Sequence, residues 1–292
     1  MTILNALQWG IDQLQDSKVD NPRLDAEILL AHCLHRDRVK LYVFYDKLID
    51  REERKRYMEC IERRVKREPV AYIIGYKEFR SLCFKVTQAV LIPRPETEVL
   101  VEEILKEYGE VRKKRNVIRI LELGTGSGIV AVSLAKEIER LSIVATDISL
   151  EVLEVARENA RVHKEDSKIN FIVGRFLQPI RVSSHHFDFI VSNPPYLSQS
   201  DWKNVQPEIK EYEAPDFLFG GQDGLDFYRA LMPDVSKLLN YDGWLVLEVG
   251  IGQAEKVSNM IKNTGEFKKV KLVKDLSGIS RVVKAQKRMV TI

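Results

Sequence analysis

From residue 116 onward, short apolar segments alternate with segments of helical periodicity, and this alternation limits the possible folds more than any other feature. Seven apolar segments predict strands, at residues 117–123, 143–146, 169–173, 187–192, 244–249, 270–274 and 280–284. One helix is predicted from the end of the segment 124–128 through residue 136, and two more are predicted at 150–162 and at 225–239. The pattern is typical of an α/β domain with a mostly parallel seven-stranded sheet that helices cover on both faces. The last two strands, on either side of Asp275-Leu276-Ser277-Gly278, should be antiparallel.

The first 75 residues show no such alternation and are predicted to be helical. Apolar residues recur at helical spacing in a first helix that Thr2 is placed to cap, and Pro22 begins a second helix. A third helix covers residues 50 to about 67, and its mixed Arg, Lys and Glu side chains are typical of a solvated face. We therefore expect a small all-helical domain that binds or braces another part.

Between residues 72 and 92 the apolar residues tend toward a period of two, which predicts a β-hairpin with a possible turn at Thr87-Gln88. The hairpin leads into the stiff segment Ile92-Pro93-Arg94-Pro95-Glu96-Thr97-Glu98 and then into a helix that ends near Tyr108. This segment either caps that helix or covers an active site. The chain is thus expected to have three parts, a helical domain at 1–75, a β-hairpin linker at 76–93 and an α/β domain at 94–292.

Composition narrows the class of protein. A formal net charge of +3 is weak support for nucleic-acid binding, which usually requires a more concentrated positive charge. The three cysteines form no Cys-x-x-Cys pair and no cluster with histidine, so we expect a reducing compartment and no metal. We see neither a signal peptide nor an apolar run near the roughly 18 residues of a membrane span. We expect a cytoplasmic monomer with no membrane partner and no direct nucleic-acid partner.

A glycine-rich segment, Gly124-Thr125-Gly126-Ser127-Gly128, lies between the first predicted strand and its helix. Glycines allow a ligand to approach the backbone, because no Cβ stands in the way. The next strand ends about 20 positions later at Asp147, where a carboxylate can accept hydrogen bonds from two ribose hydroxyls. A nucleoside-containing cofactor is therefore favoured over a purely structural turn.

Two neighbours of the glycine segment indicate which cofactor this is. Dinucleotide enzymes favour a third glycine one residue later, where this chain has Ile129. The acidic Glu122, two residues before the segment, suits a ligand with an ammonium and a sulfonium better than a pyrophosphate. The sequence favours S-adenosylmethionine over NAD, and the absence of a Gly-Lys-Ser/Thr sequence excludes a Walker-type nucleotide hydrolase.

The tetrapeptide Asn193-Pro194-Pro195-Tyr196 follows the fourth predicted strand. Each proline fixes its own φ and moves the preceding residue out of the α region, which predicts a stiff extended loop. The Asn193 side-chain oxygen and the Pro194 carbonyl offer two acceptors for the two N–H groups of a planar amide or amine. Tyr196 can stack on such a flat group. Taken alone, the tetrapeptide is equally consistent with a turn that ends the strand.

Together these residues resemble the class I methyltransferases that modify planar amino nitrogens. Over nearly the whole chain the sequence is similar to the bacterial release-factor glutamine methyltransferase family, in the segments 22–27, 67–75, 92–98, 220–225 (Gly-Gly-Gln-Asp-Gly-Leu) and 275–278 (Asp-Leu-Ser-Gly). The sister enzyme that acts on a ribosomal-protein glutamine carries a different segment in place of Arg94-Pro95-Glu96-Thr97-Glu98, so this segment favours the release-factor branch.

The resemblance implies a Rossmann-like class I methyltransferase domain. Its expected reaction moves a methyl group from S-adenosylmethionine to the side-chain nitrogen N5 of the glutamine in the Gly-Gly-Gln loop of class I peptide chain release factors. This modification modulates translation termination, and S-adenosylhomocysteine is the product of the cofactor. The helical domain would recognise the substrate.

The resemblance also implies roles for individual residues. The cofactor would be bound by Glu122, Gly124, Thr125, Gly126, Ser127, Gly128, Asp147, Phe176 and Asn193. Phe176 falls where the family places an aromatic residue near the adenine, and its neighbour Arg175 stands where an acidic residue is common. The substrate would be bound by Asn193, Pro194, Pro195, Tyr196, Arg94 and Glu96.

No residue arrangement in the sequence supplies an obvious catalytic base. The five histidines lie in predicted helices or in a polar loop, and His185-His186 is predicted to be a solvated turn. We therefore expect Asn193 and Pro194, with Tyr196, to act by positioning the amide nitrogen in line with the sulfonium methyl. The alternatives are glutamine methylation of a ribosomal protein, N6-adenine methylation of nucleic acid, and a non-catalytic nucleotide-binding adaptor.

Overall fold

A computed structural model describes residues 1–180 and 186–289, so His185 of the predicted His185-His186 turn lies outside the described residues. The chain divides into two compact units. The helical unit contains Met1–Tyr76 and Gln206–Glu213, and the α/β unit contains Lys77–Val205 and Ala214–Ile292. In the part of the chain that the structure describes, no helix combines the length and apolarity needed to cross a bilayer.

The helices and strands alternate in the α/β unit as the sequence predicts. The helices are α1 (Ile3–Asp16), α2 (Pro22–Cys33), α3 (Arg38–Val43), α4 (Arg51–Val65), α5 (Val70–Ile74), α6 (Thr97–Val111), α7 (Ile129–Glu137), α8 (Leu150–Val162), α9 (Gln199–Lys203), α10 (Pro207–Tyr212), α11 (Asp226–Leu231), α12 (Val235–Leu238) and α13 (Ala254–Asn263). The strands are β1 (Tyr76–Phe79), β2 (Leu82–Lys85), β3 (Ile118–Leu123), β4 (Leu141–Asp147), β5 (Ile169–Val173), β6 (Phe187–Ser192), β7 (Leu239–Glu248), β8 (Phe267–Lys274) and β9 (Ser280–Lys287).

The helical unit has one apolar core, to which α1, α2 and α4 contribute most of the buried side chains. Thr2 caps α1 as predicted, because its hydroxyl accepts a hydrogen bond from the N–H of Asn5 at 3.2 Å. α4 begins after Asp50 with a capping box, in which Asp50 and Glu53 each accept the backbone N–H of the other. Local sequence signals therefore account for where these two helices start.

Buried ion pairs hold α10 to the helical unit, although α10 is distant from it in the sequence. The guanidinium of Arg64 lies 2.7 Å from Asp25 and 3.1 Å from Glu208, and Arg67 lies 2.9 Å from Glu208. The hydroxyl of Tyr212 donates to the Lys66 carbonyl at 2.7 Å. Removal of one partner from such a cluster would leave a buried charge unpaired, so we expect it to fix the position of α10.

The α/β unit contains a seven-stranded sheet with the order β5-β4-β3-β6-β7-β9-β8. β5, β4, β3, β6 and β7 are parallel to their neighbours, and β9 is antiparallel to both β7 and β8. The chain order changes direction between β3 and β6, because the strands after β3 first add on one side and then on the other. In open sheets of this kind, ligands bind outside the carboxyl ends of the strands at this point.

Each face of the sheet has its own apolar core, and alternating side chains assign the strand residues to one or the other. Along β3, Ile118 and Ile120 pack with α6 and α7 on one face, whereas Leu121 and Leu123 belong to the opposite core, shared with α11 and α13. Because both faces are covered, the central strands are almost entirely apolar, which made them recognisable in the sequence.

The predicted fold class is confirmed, including the seven strands and the antiparallel final pair. The predicted position of the hairpin turn, Thr87-Gln88, is wrong, because Arg80 and Ser81 join β1 to β2. Both of these residues have positive φ, 48° and 60°, which matches the strand twist in a two-residue turn without the usual Asn-Gly signal.

The single helix predicted at residues 225–239 is also wrong, because α11 and α12 are separate and Leu239 begins β7. Pro233 lies between the two helices, where it has no N–H to donate and its ring clashes with the preceding turn.

Candidate active site

A cavity of about 660 Å³ opens at the carboxyl ends of β3, β4 and β6, and it is large enough for a cofactor-sized ligand. Most of the predicted site residues line it: Arg94, Glu122, Gly124, Thr125, Gly126, Ser127, Asp147, Phe176, Asn193, Pro194 and Pro195. Gly128, Tyr196 and Glu96 are not among the lining residues. The fold thus collects residues from both the glycine segment and the Asn-Pro-Pro-Tyr segment around one space.

The glycine segment forms one wall of the cavity through its backbone. The N–H groups of Gly124 and Thr125 both donate to the Thr146 carbonyl, at 2.9 and 3.0 Å, which ties the end of β3 to the end of β4. Gly126 has φ of 55°, and a Cβ on it would meet nothing within 4 Å, so the space beside it is open to a ligand. Gly128 instead lies against Ala156 of α8, where a Cβ would be 3.2 Å from the Ala156 Cβ, so its contact is with a neighbouring helix.

Two acidic side chains lie beside this wall. Glu122 is 3 % exposed and accepts a hydrogen bond from the Thr125 hydroxyl at 2.9 Å. Burial raises the pKa of Glu122 to about 8, and the nearby charge of Asp147 acts in the same direction. Burial also raises the pKa of Asp147, although the N–H of Gly126, at 3.0 Å from its carboxylate, opposes that rise. A cationic ligand would stabilise both carboxylates in their ionised forms.

An aromatic group closes the side of the cavity next to Asp147. Phe176 lines it with a positive φ of 52°, and its ring packs edge-on against Phe227 at 5.1 Å between centroids. The guanidinium of Arg175 lies 5.1 Å from the centroid of the Phe176 ring. Arg175 therefore interacts with the aromatic face from a position where the related family commonly has an acid.

Asn193 lies at the end of β6 with its amide in a defined orientation. Its Nδ2 donates to the hydroxyl oxygen of Thr97 at 3.0 Å. Oδ1 accepts no hydrogen bond from the residues that the structure describes, so it is available as an acceptor. Ser192, just before it, donates its hydroxyl to the Leu123 carbonyl at 2.7 Å and so ties the end of β6 to the end of β3. Among the described residues, the Pro194 carbonyl accepts no backbone hydrogen bond. Two acceptors are thus available at the cavity wall.

The loop after Asn193 is held from behind by a glycine-rich turn and by Gln253. A Cβ on Gly220 would lie 2.7 Å from the Pro195 carbonyl oxygen, and a Cβ on Gly224 would collide with the Tyr196 carbonyl oxygen, so both positions require glycine. Gln253 Nε2 donates to the Tyr196 carbonyl at 2.7 Å. The backbone of the glycine-rich turn can lie this close to the Asn-Pro-Pro-Tyr backbone only because Gly220 and Gly224 have no Cβ.

Tyr196 and Glu96 occupy positions other than those expected. The Tyr196 ring packs against the core that includes α11 and α13, so it anchors the Asn-Pro-Pro-Tyr loop to that core. Burial raises the pKa of Tyr196 well above the ordinary value. Glu96 lies 3.4 Å from the guanidinium of Arg281, which also pairs with Asp275 at 3.1 Å. The Asp-Leu-Ser-Gly turn is thereby connected to the segment that carries Arg94.

Comparison with known proteins identifies the family. The family described as PrmC N-terminal domain matches residues 5–75, and the family described as Methyltransferase small domain matches residues 95–222. The chain is 42% identical over 282 residues to the release factor glutamine methyltransferase of Geobacter sulfurreducens, covering 97% of this chain and 95% of the relative. It is 38% identical over 287 residues to that of Koribacter versatilis, covering 98% of this chain and 99% of the relative.

The chain belongs to the release factor glutamine methyltransferase family. The resemblance seen in the sequence is therefore confirmed, and the chain is a methyltransferase. Solved structures agree on the fold alone: a methyltransferase from Pyrococcus furiosus has a TM-score of 0.51 at 20% identity, covering 73% of this chain and 92% of that chain. The hMettl16 catalytic domain, solved with a 3'UTR hairpin, has a TM-score of 0.57 at 14% identity and covers 85% of each chain.

Three residues near the cavity of this enzyme were not recognised as important from the sequence. Thr97 contacts Asn193, Gln253 contacts the Tyr196 carbonyl, and Glu248 is a fully buried acid at the end of β7. The sequence assigns Thr97 to a segment that either caps α6 or covers an active site, without a contact to Asn193, and Gln253 has no local motif. A glutamate at the end of an otherwise apolar strand is the one signal that could have drawn attention to Glu248.

Proposed function

We propose that this enzyme transfers the methyl group of S-adenosylmethionine to the side-chain nitrogen N5 of the glutamine in the Gly-Gly-Gln loop of class I peptide chain release factors. The observation that carries the proposal is the orientation of Asn193 in the cavity wall. Its Nδ2 donates to Thr97, and within the described part of the chain its Oδ1 accepts no hydrogen bond. A primary amide has two N–H groups, and the Asn193 oxygen with the Pro194 carbonyl gives it two acceptors.

The residues around the cavity fit S-adenosylmethionine. Open space beside Gly124 and Gly126 allows a ligand to lie against the backbone, and Asp147 lines the same cavity, where its carboxylate would accept hydrogen bonds from ribose hydroxyls. Glu122 supplies negative charge for the ammonium and sulfonium, and Phe176 offers an aromatic face for the adenine. When bound, the cofactor supplies an electrophilic methyl group on a positively charged sulfur.

The protein's own contribution to the reaction is to position the acceptor. An amide nitrogen is a weak nucleophile, because its lone pair is delocalised into the carbonyl group. Asn193 Oδ1 and the Pro194 carbonyl would each accept one amide N–H, which fixes the direction of the nitrogen lone pair. Both oxygens carry partial negative charge, so they also stabilise the positive charge that develops on the nitrogen. The extra proton can leave after methyl transfer, which removes the need for a strong base.

The helical unit is proposed to recognise the release factor. It exposes a run of apolar and aromatic side chains on α3 and just after it: Val39, Tyr42, Val43, Tyr45 and Leu48. Exposed apolar clusters on a soluble protein commonly mark binding surfaces. The variant Val43→Glu/Leu48→Glu should raise the KM for intact release factor, with little change for a short Gly-Gly-Gln peptide. Equal losses on both substrates would contradict this role. We further propose a cytoplasmic monomer without a direct nucleic-acid or membrane partner.

The test of the main proposal is methyl transfer from labelled S-adenosylmethionine to three acceptors offered in parallel: a class I release factor, a ribosomal protein and DNA. Label should appear on the release factor, and it should be absent when the glutamine of the Gly-Gly-Gln loop is replaced by alanine. Label on the ribosomal protein or on DNA alone would overturn the assignment, and release of S-adenosylhomocysteine without a labelled acceptor would do so as well.

A further inference from the structure

The parallel register of β6 and β7 brings two side chains together that are far apart in the sequence. Ser192 pairs with Leu247, so the residues that follow, Asn193 and Glu248, lie next to each other at the edge of the sheet. Glu248 is 1 % exposed and does not line the cavity. A buried acid adjacent to the proposed substrate-binding amide requires an explanation.

Thr97, the first residue of α6, links these two side chains. α6 packs on the sheet face to which Val246 of β7 belongs, and alternation along the strand directs Glu248 to this same face. The Thr97 hydroxyl oxygen accepts a hydrogen bond from Asn193 Nδ2 at 3.0 Å. The Thr97 side chain also lies close enough to the Glu248 carboxyl group to lower the pKa of that group. Thr97 is 0 % exposed, so water does not compete for these contacts.

The direction of these hydrogen bonds follows from the donors available. Once Glu248 is ionised, its carboxylate only accepts, so the single proton of the Thr97 hydroxyl then goes to Glu248. The Thr97 oxygen can then only accept from Asn193, which therefore has to present its NH2 group to Thr97. The carbonyl oxygen of Asn193 is left for the substrate. With the opposite orientation of the Asn193 amide, its Oδ1 would face the Thr97 hydroxyl oxygen, which has no proton left to donate. The N–H groups of the substrate amide would then meet the NH2 group of Asn193, which is also a donor.

Several groups set the charge of Glu248. Burial raises its pKa to about 8; the Thr97 hydrogen bond and the positive charge of Arg281 oppose this rise, and the charge of Glu96 adds to it. The Tyr228 hydroxyl donates to the Glu248 backbone carbonyl at 2.7 Å, and the buried phenol of Tyr196 lies near the carboxyl group. Among the described residues, Glu248 Oε2 has no hydrogen-bond partner. Thr97 is the neutral side chain that lowers the pKa of this carboxyl group, so its hydroxyl is a candidate partner for the carboxylate.

We propose that Glu248 and Thr97 are positioning residues, which act in series to hold Asn193 with its carbonyl oxygen directed at the glutamine amide. The proposal deepens the function proposed above and rests on it. Thr97 lines the cavity and Glu248 does not, and both are proposed to act through the orientation of Asn193. Their effect is to make one of the two orientations of the Asn193 amide the only one that satisfies all donors and acceptors.

The test compares Thr97→Val, Thr97→Ser and Glu248→Gln in methyl transfer to release factor at saturating cofactor. Thr97→Val keeps the shape but loses the hydroxyl, and it should lower kcat by about ten- to a hundred-fold while KM and cofactor affinity stay within about two- to three-fold. Thr97→Ser should restore most of the rate. Ser133→Ala, which removes a buried hydroxyl from α7 on the same core, should leave kcat unchanged and controls for loss of stability.

Two further measurements separate orientation from folding. In an Asn193→Ala background, Thr97→Val should have no additional effect on kcat, because the group it orients is absent. The kcat of the wild type should rise with pH as Glu248 ionises near pH 8, whereas Glu248→Gln should lose this dependence. The proposal would be overturned if the fold-losses of kcat from Thr97→Val and Asn193→Ala simply multiplied in the double variant. It would also be overturned if Glu248→Gln kept the pH profile of the wild type. Failure of the wild type to methylate release factor would instead refute the proposed function.

Discussion

Two walls of the cavity are built in different ways. One wall, formed by Glu122, the glycine segment and Asp147, is proposed to bind the cofactor and is called the cofactor wall; it comes from the ends of two adjacent strands and the turn between β3 and α7. The other, formed by Asn193, Pro194 and Pro195, is proposed to bind the methyl acceptor and is called the acceptor wall; it is held by Thr97 from α6 and by the carboxyl end of β7 with the turns that follow it. The first wall is local in sequence and mostly backbone, and the second is assembled by the fold.

This difference predicts how each wall responds to mutation. Backbone N–H groups and open space beside glycines do not depend on distant side chains, so changes at the cofactor wall should alter cofactor affinity and little else. The acceptor wall depends on side chains that are themselves oriented by others. Changes there should reduce turnover with little effect on cofactor affinity. Each prediction below tests this separation between binding and turnover.

The largest effect is expected from Asn193→Ala. This variant removes one of the two acceptors proposed for the glutamine amide, and turnover should fall by about a hundred- to a thousand-fold, the usual loss for one such group. The dissociation constant of S-adenosylmethionine should change by only a few fold. Steady-state kinetics and calorimetry measure the two quantities. Asn170→Ala, at an exposed position on β5, is the matched control. Near-normal turnover of Asn193→Ala would end the assignment of the acceptor wall.

A smaller loss of turnover is expected from Gly224→Ala. Gly224 has φ of 75°, and an added Cβ would collide with the Tyr196 carbonyl oxygen, so the Asn-Pro-Pro-Tyr loop has to move. A shift of about 1 Å in a positioning loop can cost about a hundred-fold in rate. Gly265→Ala carries similar backbone strain at φ of 73° with open space around it, and it should retain turnover. If both variants behave alike, backbone strain rather than the loop contact would explain the loss.

The two walls also differ in how well the sequence predicted them. Gly124, Gly126 and Asp147 were identified because strand, turn and acid follow one another at a fixed spacing. Asn193 and Pro194 were identified from their own chemistry, but no local pattern indicates that Thr97 and Glu248 would adjoin them. Those neighbours depend on strand order and register, which only the folded sheet defines. Tyr196 was expected at the ligand, and it packs in the core because the apolar side of the ring is buried there.

The strands and helices of the fold were more predictable from the sequence than the contacts between segments that are distant in the sequence. Apolar strands covered on both faces give a strong signal, so the seven strands were found nearly in place. The assignment of α10 to the helical unit was missed, because it depends on ion pairs of Glu208 with Arg64 and Arg67 that cross a long stretch of sequence. Pairings of this kind follow from the tertiary structure and leave no periodic pattern.

Glu122→Gln should have a moderate effect, and on cofactor affinity alone. Burial raises the pKa of Glu122 to about 8, so below that pH the carboxyl group is mostly protonated in the free enzyme. A cationic ligand favours the ionised form, so binding should release a proton and the wild-type affinity should increase as pH rises toward 8. Above that pH, Glu122→Gln should bind about ten-fold more weakly, because one unit of pKa shift corresponds to a tenfold change in binding.

Calorimetry in buffers of different ionisation enthalpy measures this proton release directly. The wild type should release more protons than Glu122→Gln at pH 7, and the titrating ammonium of the ligand contributes equally to both, so the difference isolates Glu122. Turnover at saturating cofactor should stay within a few fold of the wild type. A large loss of turnover at saturation would show that Glu122 also acts on the acceptor, and the separation of the two walls would fail.

The smallest effect is expected from Arg175→Ala. The guanidinium lies 5.1 Å from the Phe176 ring centroid and is exposed, and a cation–π contact at such a site is worth about 0.5–1 kcal/mol. Its loss should weaken cofactor binding by about two- to five-fold through a less ordered Phe176, with unchanged turnover at saturation. Phe176→Leu should cost more in affinity, because it removes the ring itself. If Arg175→Ala lowered turnover and left cofactor affinity unchanged, Arg175 would belong functionally to the acceptor wall. A residue next to the cofactor wall in the sequence would then act on the acceptor, and the separation of the two walls would fail.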